Sequence, residues 1–460
     1  MNQKSILVAA ACLSSFFAAF MSNSLNVAIP AISHTYGISP QSVPLAISVY
    51  VITVTAFIFP SIALANRFGF RNIFAFGSLT SAIASFLAPL APHFYIFLAL
   101  RSLQGIFNAT IFCTSMALLT YHIEKEKRGY YIGLNIAAVY AGLSLSPTLG
   151  GVITDTIGWS FMFYLTALGN LGAYLLLLKI PKEPAVSQGY PKIRMFICTL
   201  SFIAIFSGIS FINDSDYALY ILLLGCATFT YYIILEKHSK KPLLPINLLL
   251  DNKVLSFSLL ASLCNYTATF AVSMLLSMHL QLILHISASQ TGLILIITPI
   301  CQCLLSPFAG KMVSKISPHA LVFSGMLLST IATLIYANIK IDTPLYIINI
   351  AQVLGGIGFG LFSSPNTTLV MSSVDKTKLA LVNGLQALSR NLGMSTCMAF
   401  VTLVIATFLN VTPESDIYAK ELNYTVNISF AISTIIGVAG LIFCLAGAYF
   451  YKKQHINLFN

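Results

Sequence analysis

Between residues 5 and 451 the chain alternates apolar runs of membrane-spanning length with short polar gaps, and this alternation leaves few folds open. A run needs roughly 18 or more apolar residues to cross a bilayer as a helix. Six such runs lie at 5–30, 43–65, 72–92, 94–120, 129–154 and 159–180. A close pair follows at 195–212 and 217–236, then six more at 254–284, 289–310, 318–338, 343–371, 379–409 and 427–451. Fourteen spans are therefore expected, with the first run read as a span and not as a cleaved leader.

The basic residues test the count. With the N-terminus inside, twenty of the 24 Lys and Arg residues fall in inner segments. Outer loops hold Lys340 and Lys420, while Arg101 and Arg390 lie within spans. An odd number of spans would scramble this asymmetry. Both termini are thus expected in the cytoplasm, with the chain embedded in an inner or plasma membrane.

Composition removes other classes. The chain is 57% hydrophobic and 8% charged, against about 25% charged in soluble domains. A net charge of +11 is spread singly and in pairs between apolar runs, so it reads as topogenic charge and not as a nucleic-acid surface. All nine cysteines fall inside apolar runs, with no metal-ligand spacing and no disulfide framework. The glycines of 355–360 (GGIGFG) sit in an apolar span with no preceding strand, which excludes a nucleotide loop. No nucleophile–base constellation is present, and the longest gaps, 181–194 and 237–253, are too short to house an enzyme. No cofactor is expected. The partners are the lipid bilayer, a small-molecule substrate and, where coupling exists, a proton.

The most patterned stretch is 133–151, GLNIAAVYAGLSLSPTLGG. Gly142, Ser146 and Gly150 recur every four residues and make a smooth face for close helix packing, while Pro147 predicts a bend. Gly133, Gly142, Pro147, Gly150 and Gly151 resemble the antiporter signature on the fifth helix of drug exporters in the major facilitator superfamily. Ser146 stands where that signature usually has Gly.

Three further stretches extend the resemblance. The loop 66–71, NRFGFR, is similar to the family's cytoplasmic motif Asp-Arg-x-Gly-Arg-Arg. Arg67, Gly69 and Arg71 match, but Asn66 and Phe70 replace an acid and an arginine. The resemblance implies that this loop stabilises one conformation through charge contacts at a helix end. Arg101, Gln104 and Gly105 match the Arg-x-x-Gln-Gly signature of the fourth span. Asn26, Val27, Ala28 and Pro30 resemble the Asn-Val-Ala-Leu-Pro ending of span 1 in the fourteen-span drug/proton antiporter branch, where Met21 replaces an aspartate. The stretch 383–393 (NGLQALSRNLG) on span 13 also resembles that branch.

The resemblance implies an all-α membrane protein of fourteen helices, two pseudo-symmetric six-helix halves plus two inserted helices. The halves are expected at 1–180 and 254–460, with the inserted pair and its linkers at 181–253; the similar basic loops 66–72 and 310–316 give the same division.

Polar faces within the spans supply the candidate substrate contacts. Arg101, Gln104 and Asn108 share one helix face by spacing, as do Asn23 and Asn26 on span 1 and Asn383, Gln386 and Arg390 on span 13. Asn265, Gln302 and Asn366 add single groups on spans nine, ten and twelve. Arg101 lies about 10 Å from its helix end, and an unpaired arginine there costs about 2.5–3.5 kcal/mol, so it needs a cavity or a polar partner. None of the 13 acids lies deep in a span. By charge sign, such an interior suits an anionic or polar metabolite over a cationic drug.

The expected function is a secondary transporter, most readily an exporter, working by alternating access. Proton coupling falls to Asp155, His279 or the substrate itself; His279 also reads as an ordinary histidine at the membrane interface. The departures at Met21, Asn66 and Ser146 keep a second reading open, a transporter-like sensor or scaffold that moves no solute.

Overall fold

In the computed structural model the described residues are 3–181, 192–210, 217–239, 246–313, 315–374, 379–409 and 417–456, with the single residues 212, 244, 411 and 415. No strand occurs among them. Fourteen helices are long and apolar enough to cross a bilayer. Spans 1 to 6 are Gln3–Val27, Pro40–Phe68, Phe70–Leu90, Phe94–Leu119, Ala137–Thr156 and Ser160–Leu177. Spans 7 and 8 are Lys192–Ser210 and Ala218–Lys237. Spans 9 to 14 are Lys253–Ile283, Ala288–Met312, Pro318–Tyr336, Leu345–Ser372, Gly384–Phe408 and Tyr418–Lys453. The chain is a multi-pass membrane protein.

Helix interruptions follow the backbone chemistry of single residues. Span 1 tightens into a 3-10 turn at Leu25–Val27 before a separate helix, Ile29–Tyr36, with Pro30 in its first turn, where a missing N–H costs nothing. Span 10 is divided at Ile296 into Ala288–Leu295 and Ile297–Met312. Pro299 lies there; it lacks the N–H that would bond residue 295, and its ring crowds that carbonyl. Pro147 sits inside the helix Lys125–Thr156 without interrupting it. Between Phe68 and Phe70 the chain turns through Gly69 at φ +89°, a region open to glycine.

Packing repeats with an offset of eight spans. Among the first six, span 1 lies on spans 5 and 6, span 2 on span 4, and span 3 on spans 4 and 6. Among the last six, span 9 lies on spans 13 and 14, span 10 on span 12, and span 11 on spans 12 and 14. The six-helix pattern is thus present twice.

Contacts group the chain into two units. Unit 1 comprises Met1–Gly208, Tyr217–Phe229 and His285–Ile296; unit 2 comprises Ile209–Asp216, Thr230–Leu284 and Ile297–Asn460. In unit 1, spans 7 and 8 meet at Gly208 and Gly225, where a Cβ would lie 2.7 Å from the backbone nitrogens of Leu222 and Ile205. Span 7 also touches span 2 through Thr199, whose hydroxyl donates to Ala56 O at 3.1 Å. The first part of span 10 belongs with the first six spans, because Ala288–Leu295 packs on span 5.

Candidate functional site

The polar interior of unit 1 is built by spans 2, 3, 4 and 6. Arg101 is 0% exposed. Its Nε donates to Ala46 O at 3.2 Å and its Nη1 to Gln104 Oε1 at 2.7 Å. The guanidinium lies 4.4 Å from the Tyr50 ring centre and 5.9 Å from that of Phe163, so aromatic faces stabilise the charge where water is excluded. Nη2 is buried with no acceptor. Gln104 passes the chain on, its Nε2 donating to Ser85 Oγ at 2.8 Å.

A second row runs beside the first. Ser81 Oγ donates to Asn108 Oδ1 at 3.4 Å, and Asn170 Nδ2 donates to Ser81 Oγ at 3.2 Å. The Tyr50 hydroxyl faces Asn108, while its ring lies against the Arg101 guanidinium. Asn26 and Asn170 each bury an Oδ1 with no donor. Unit 1 therefore buries the Nη2 group of Arg101 and the carbonyl oxygens of Asn26 and Asn170 without partners.

Gln104 and Asn108 stand on the same face as Arg101, as their spacing predicts. Asn23 is half-buried at the end of span 1. Ser81, Ser85, Asn170 and Tyr50 do not emerge from the sequence reading. A signal for two of them exists: Ser78, Ser81 and Ser85 on span 3 repeat the i, i+3, i+7 spacing of Arg101, Gln104 and Asn108, and all three are fully buried.

Unit 2 is less connected. Asn366 Nδ2 donates to Ser258 O at 3.2 Å, and Asn265 Nδ2 points to Met326 Sδ at 3.4 Å. The Oδ1 atoms of both are buried without a donor. Gln386 donates to Thr367 Oγ1 at 2.7 Å. Gln302 is half-buried, and Arg390 is exposed, unlike Arg101. The side chain of Asn383 lies outside the described residues. His279 is 0% exposed, begins a π-helical turn, His279–Ile283, and has no hydrogen-bond partner on either ring nitrogen. It is enclosed by protein.

The patterned helix of span 5 serves two neighbours. A Cβ at Gly142 would collide with Phe16 O, and one at Gly150 would come within 3.1 Å of Ser24 O, both on span 1. A Cβ at Gly151 would collide with Ala288 O, and one at Gly292 with Pro147 O, both across the span 5–span 10 contact. Thr148 Oγ1 donates to Gly292 O at 3.2 Å. Asp155 Oδ2 accepts from Ser289 N at 2.7 Å, which places a carboxylate at the N-terminal end of the helix Ala288–Leu295, where the helix dipole favours it. Gly133 lies in the same helix, but its surroundings are outside the described residues.

Arg71 is buried beside the Gly69 turn. Its Nε donates to Leu177 O at 3.0 Å and its Nη2 to Leu178 O at 3.2 Å. It thereby caps the C-terminal end of span 6, the end a cation stabilises. Arg67 stacks on Phe68 at 5.2 Å.

A profile described as the Major Facilitator Superfamily matches residues 11–241 and 258–458. This chain belongs to the major facilitator superfamily. The riboflavin transporter RibZ of Clostridioides difficile is 23% identical over 98% of this chain and 99% of its own length. The multidrug resistance protein Stp of Mycobacterium tuberculosis is 26% identical over 85% of this chain and 74% of its own. The puromycin resistance protein pur8 of Streptomyces alboniger is 25% identical over 92% of this chain and 87% of its own. These relatives put this superfamily member with the multidrug-efflux-like branch. Among solved structures, a bacterial homolog of the human lysosomal transporter Spinster superposes with a TM-score of 0.72 at 14% identity, covering 98% of both chains. A peptide transporter, POT, superposes with a TM-score of 0.70 at 14% identity, covering 98% of this chain and 94% of its own. Both show the superfamily fold. Members of the family are transporters, and this chain is a transporter and not an enzyme.

Proposed function

We propose that this protein is an exporter of a small organic anion or polar metabolite, moved by alternating access. The observation that carries the reading is the Arg101 cluster: a fully enclosed guanidinium with a free Nη2, and amides and hydroxyls around it in place of carboxylates. The acidic side chains of the described residues, Glu124, Asp155, Glu236, Asp251, Asp342 and Glu421, all stand at helix ends or in loops. An interior charged in this way attracts anions and repels cations. The riboflavin transporter supports a polar metabolite, and the drug-resistance relatives support outward movement.

In this reading the free Nη2 of Arg101 and the carbonyl oxygens of Asn26 and Asn170 become substrate contacts when unit 1 opens, with Asn23 a further candidate on span 1. Gln302, Gln386 and Arg390 are the candidate contacts of unit 2, taken by itself. Asp155 acts as a latch on the helix Ala288–Leu295 and is not a proton carrier. His279 is then the titratable group left for proton coupling. The excess of Lys and Arg in alternate loops supports cytoplasmic termini.

The test is flux into proteoliposomes holding the purified protein, with and without an imposed pH gradient, using one organic anion and one organic cation of similar size. Gradient-driven anion movement that Arg101→Gln lowers at least tenfold supports the proposal. Cation movement unchanged by Arg101→Gln refutes the charge argument, and anion flux indifferent to the gradient removes the proton.

A further inference from the structure

Unit 2 carries a cleft of about 400 Å³ lined by Lys340, Ile341, Asp342, Lys420, Asn423, Tyr424 and Asn427. It lies where the loop between spans 11 and 12 meets the first turns of span 14. Two features set it apart from an ordinary surface dent.

The first is its charge. Lys340 and Lys420 are the two lysines that stand outside the basic inner segments, and they converge here from positions 80 residues apart. Asp342 lies on the same rim, and among the described residues none of the three forms an ion pair. Two lysines against one aspartate give the cleft lining a net positive charge.

The second is its floor. Asn423 and Asn427 are one turn apart on span 14, and both donate their amide hydrogens to Ile339 O, at 3.2 and 2.9 Å. This fixes both side chains and leaves both Oδ1 atoms buried with no donor. Behind Asn423 stands His279, fully enclosed and outside the cleft lining. A neutral imidazole offers one donor and one acceptor. Even if its N–H turned to Asn423 Oδ1, the other ring nitrogen and Asn427 Oδ1 would still lack donors. Buried acceptors left unmade are costly, and Asn427 Oδ1 in the lining of an open cleft marks a place where a donor arrives from outside.

We propose that this cleft binds a small hydroxylated carboxylate, held at the rim by Lys340 and Lys420 and at the floor by hydroxyl groups that donate to Asn423 and Asn427. Asp342 pushes the carboxylate toward the lysines and accepts a further hydroxyl. Tyr424 supplies an apolar wall for the carbon chain. The site is on unit 2, whereas the Arg101 cluster is in unit 1. The inference goes beyond the transport reading, since binding is read at equilibrium and requires no flux.

The experiment is calorimetric titration of the full-length protein in lipid nanodiscs with three probes of one size: gluconate, hexanoate and gluconamide. Gluconate should bind, hexanoate about tenfold more weakly for want of hydroxyls, and gluconamide not measurably for want of charge. The double variant Lys340→Gln, Lys420→Gln should weaken gluconate at least tenfold. Asn427→Leu, chosen because it removes an acceptor without touching the rim, should erase the preference for gluconate over hexanoate. Equal binding of gluconate and gluconamide, no binding of gluconate at all, or wild-type affinity in the double lysine variant each overturns the proposal. A protein that binds gluconate and moves no solute would fail the transport reading and leave this one standing.

Discussion

Replacing Gly292 by alanine should force spans 5 and 10 apart. The new Cβ would collide with Pro147 O and lie 2.8 and 3.0 Å from Pro147 C and Thr148 Cα. All three are backbone atoms of a continuous helix, so no side chain can swing away. Ordinary contact starts near 3.4 Å, and relief therefore needs a separation on the order of 1 Å. Overpacking of this kind costs about 1–3 kcal/mol. A shift of 1 Å also breaks the 2.7 Å bond from Ser289 N to Asp155, and a hydrogen bond to a charged group is worth about 1.5–3 kcal/mol. A combined penalty of at least about 2.5 kcal/mol disfavours the joined state by roughly 70-fold, at 1.36 kcal/mol for each factor of ten. The assay is maleimide labelling of a cysteine placed at Ala288, 5% exposed at the contact, in a background without the native cysteines. Labelling should accelerate more than tenfold in Gly292→Ala. Unchanged labelling, with unchanged melting temperature, would show that the contact yields without separating and would refute the argument.

Arg71→Gln removes both bonds to the last carbonyls of span 6 and should destabilise the protein by about 2–4 kcal/mol, read as a fall in melting temperature in detergent. Gly69→Ala places a side chain at φ +89° and should cost about 1–3 kcal/mol by the same measurement. Arg101→Met loses two hydrogen bonds and the stacking on Tyr50, but it also lifts a buried charge that costs about 2.5–3.5 kcal/mol. Its melting temperature should therefore change little while anion flux falls at least tenfold; a matching loss in both would make Arg101 a purely structural cap. Lys4→Ala breaks an exposed ion pair and should alter stability by less than about 1 kcal/mol.

The helices were legible in the sequence because lipid leaves the backbone no other partner than itself, and the fourteen runs follow from that alone. Span 14 begins at Tyr418, nine residues before its apolar run, because Asn423 and Asn427 tie the extra turns to Ile339. Nothing local announces that tie. The face of Arg101, Gln104 and Asn108 was readable from spacing, since one helix decides it. Their partners Ser85 and Ser81 come from another helix, and serines in an apolar span look like packing residues until something faces them. Asp155 was visible as an acid at a span end; its bond to Ser289, 134 residues away, was not. The π turn at His279 has no proline or glycine within it, so the enclosure of that histidine could be seen only in three dimensions.

The order of the polar cluster along the chain bears on how such a protein is made. Ala46 and Tyr50 on span 2, and Ser85 on span 3, all precede Arg101 in synthesis, and Gln104 travels on the same helix. A helix carrying a charge is among the hardest segments to move into a bilayer. As chains emerge from the N-terminus, span 4 enters a membrane that already holds its acceptors, and Phe163 and Asn170 arrive later to close the pocket over it. Circular permutation that made span 4 the first to emerge would keep every contact of the finished fold and strand the arginine at the moment of insertion.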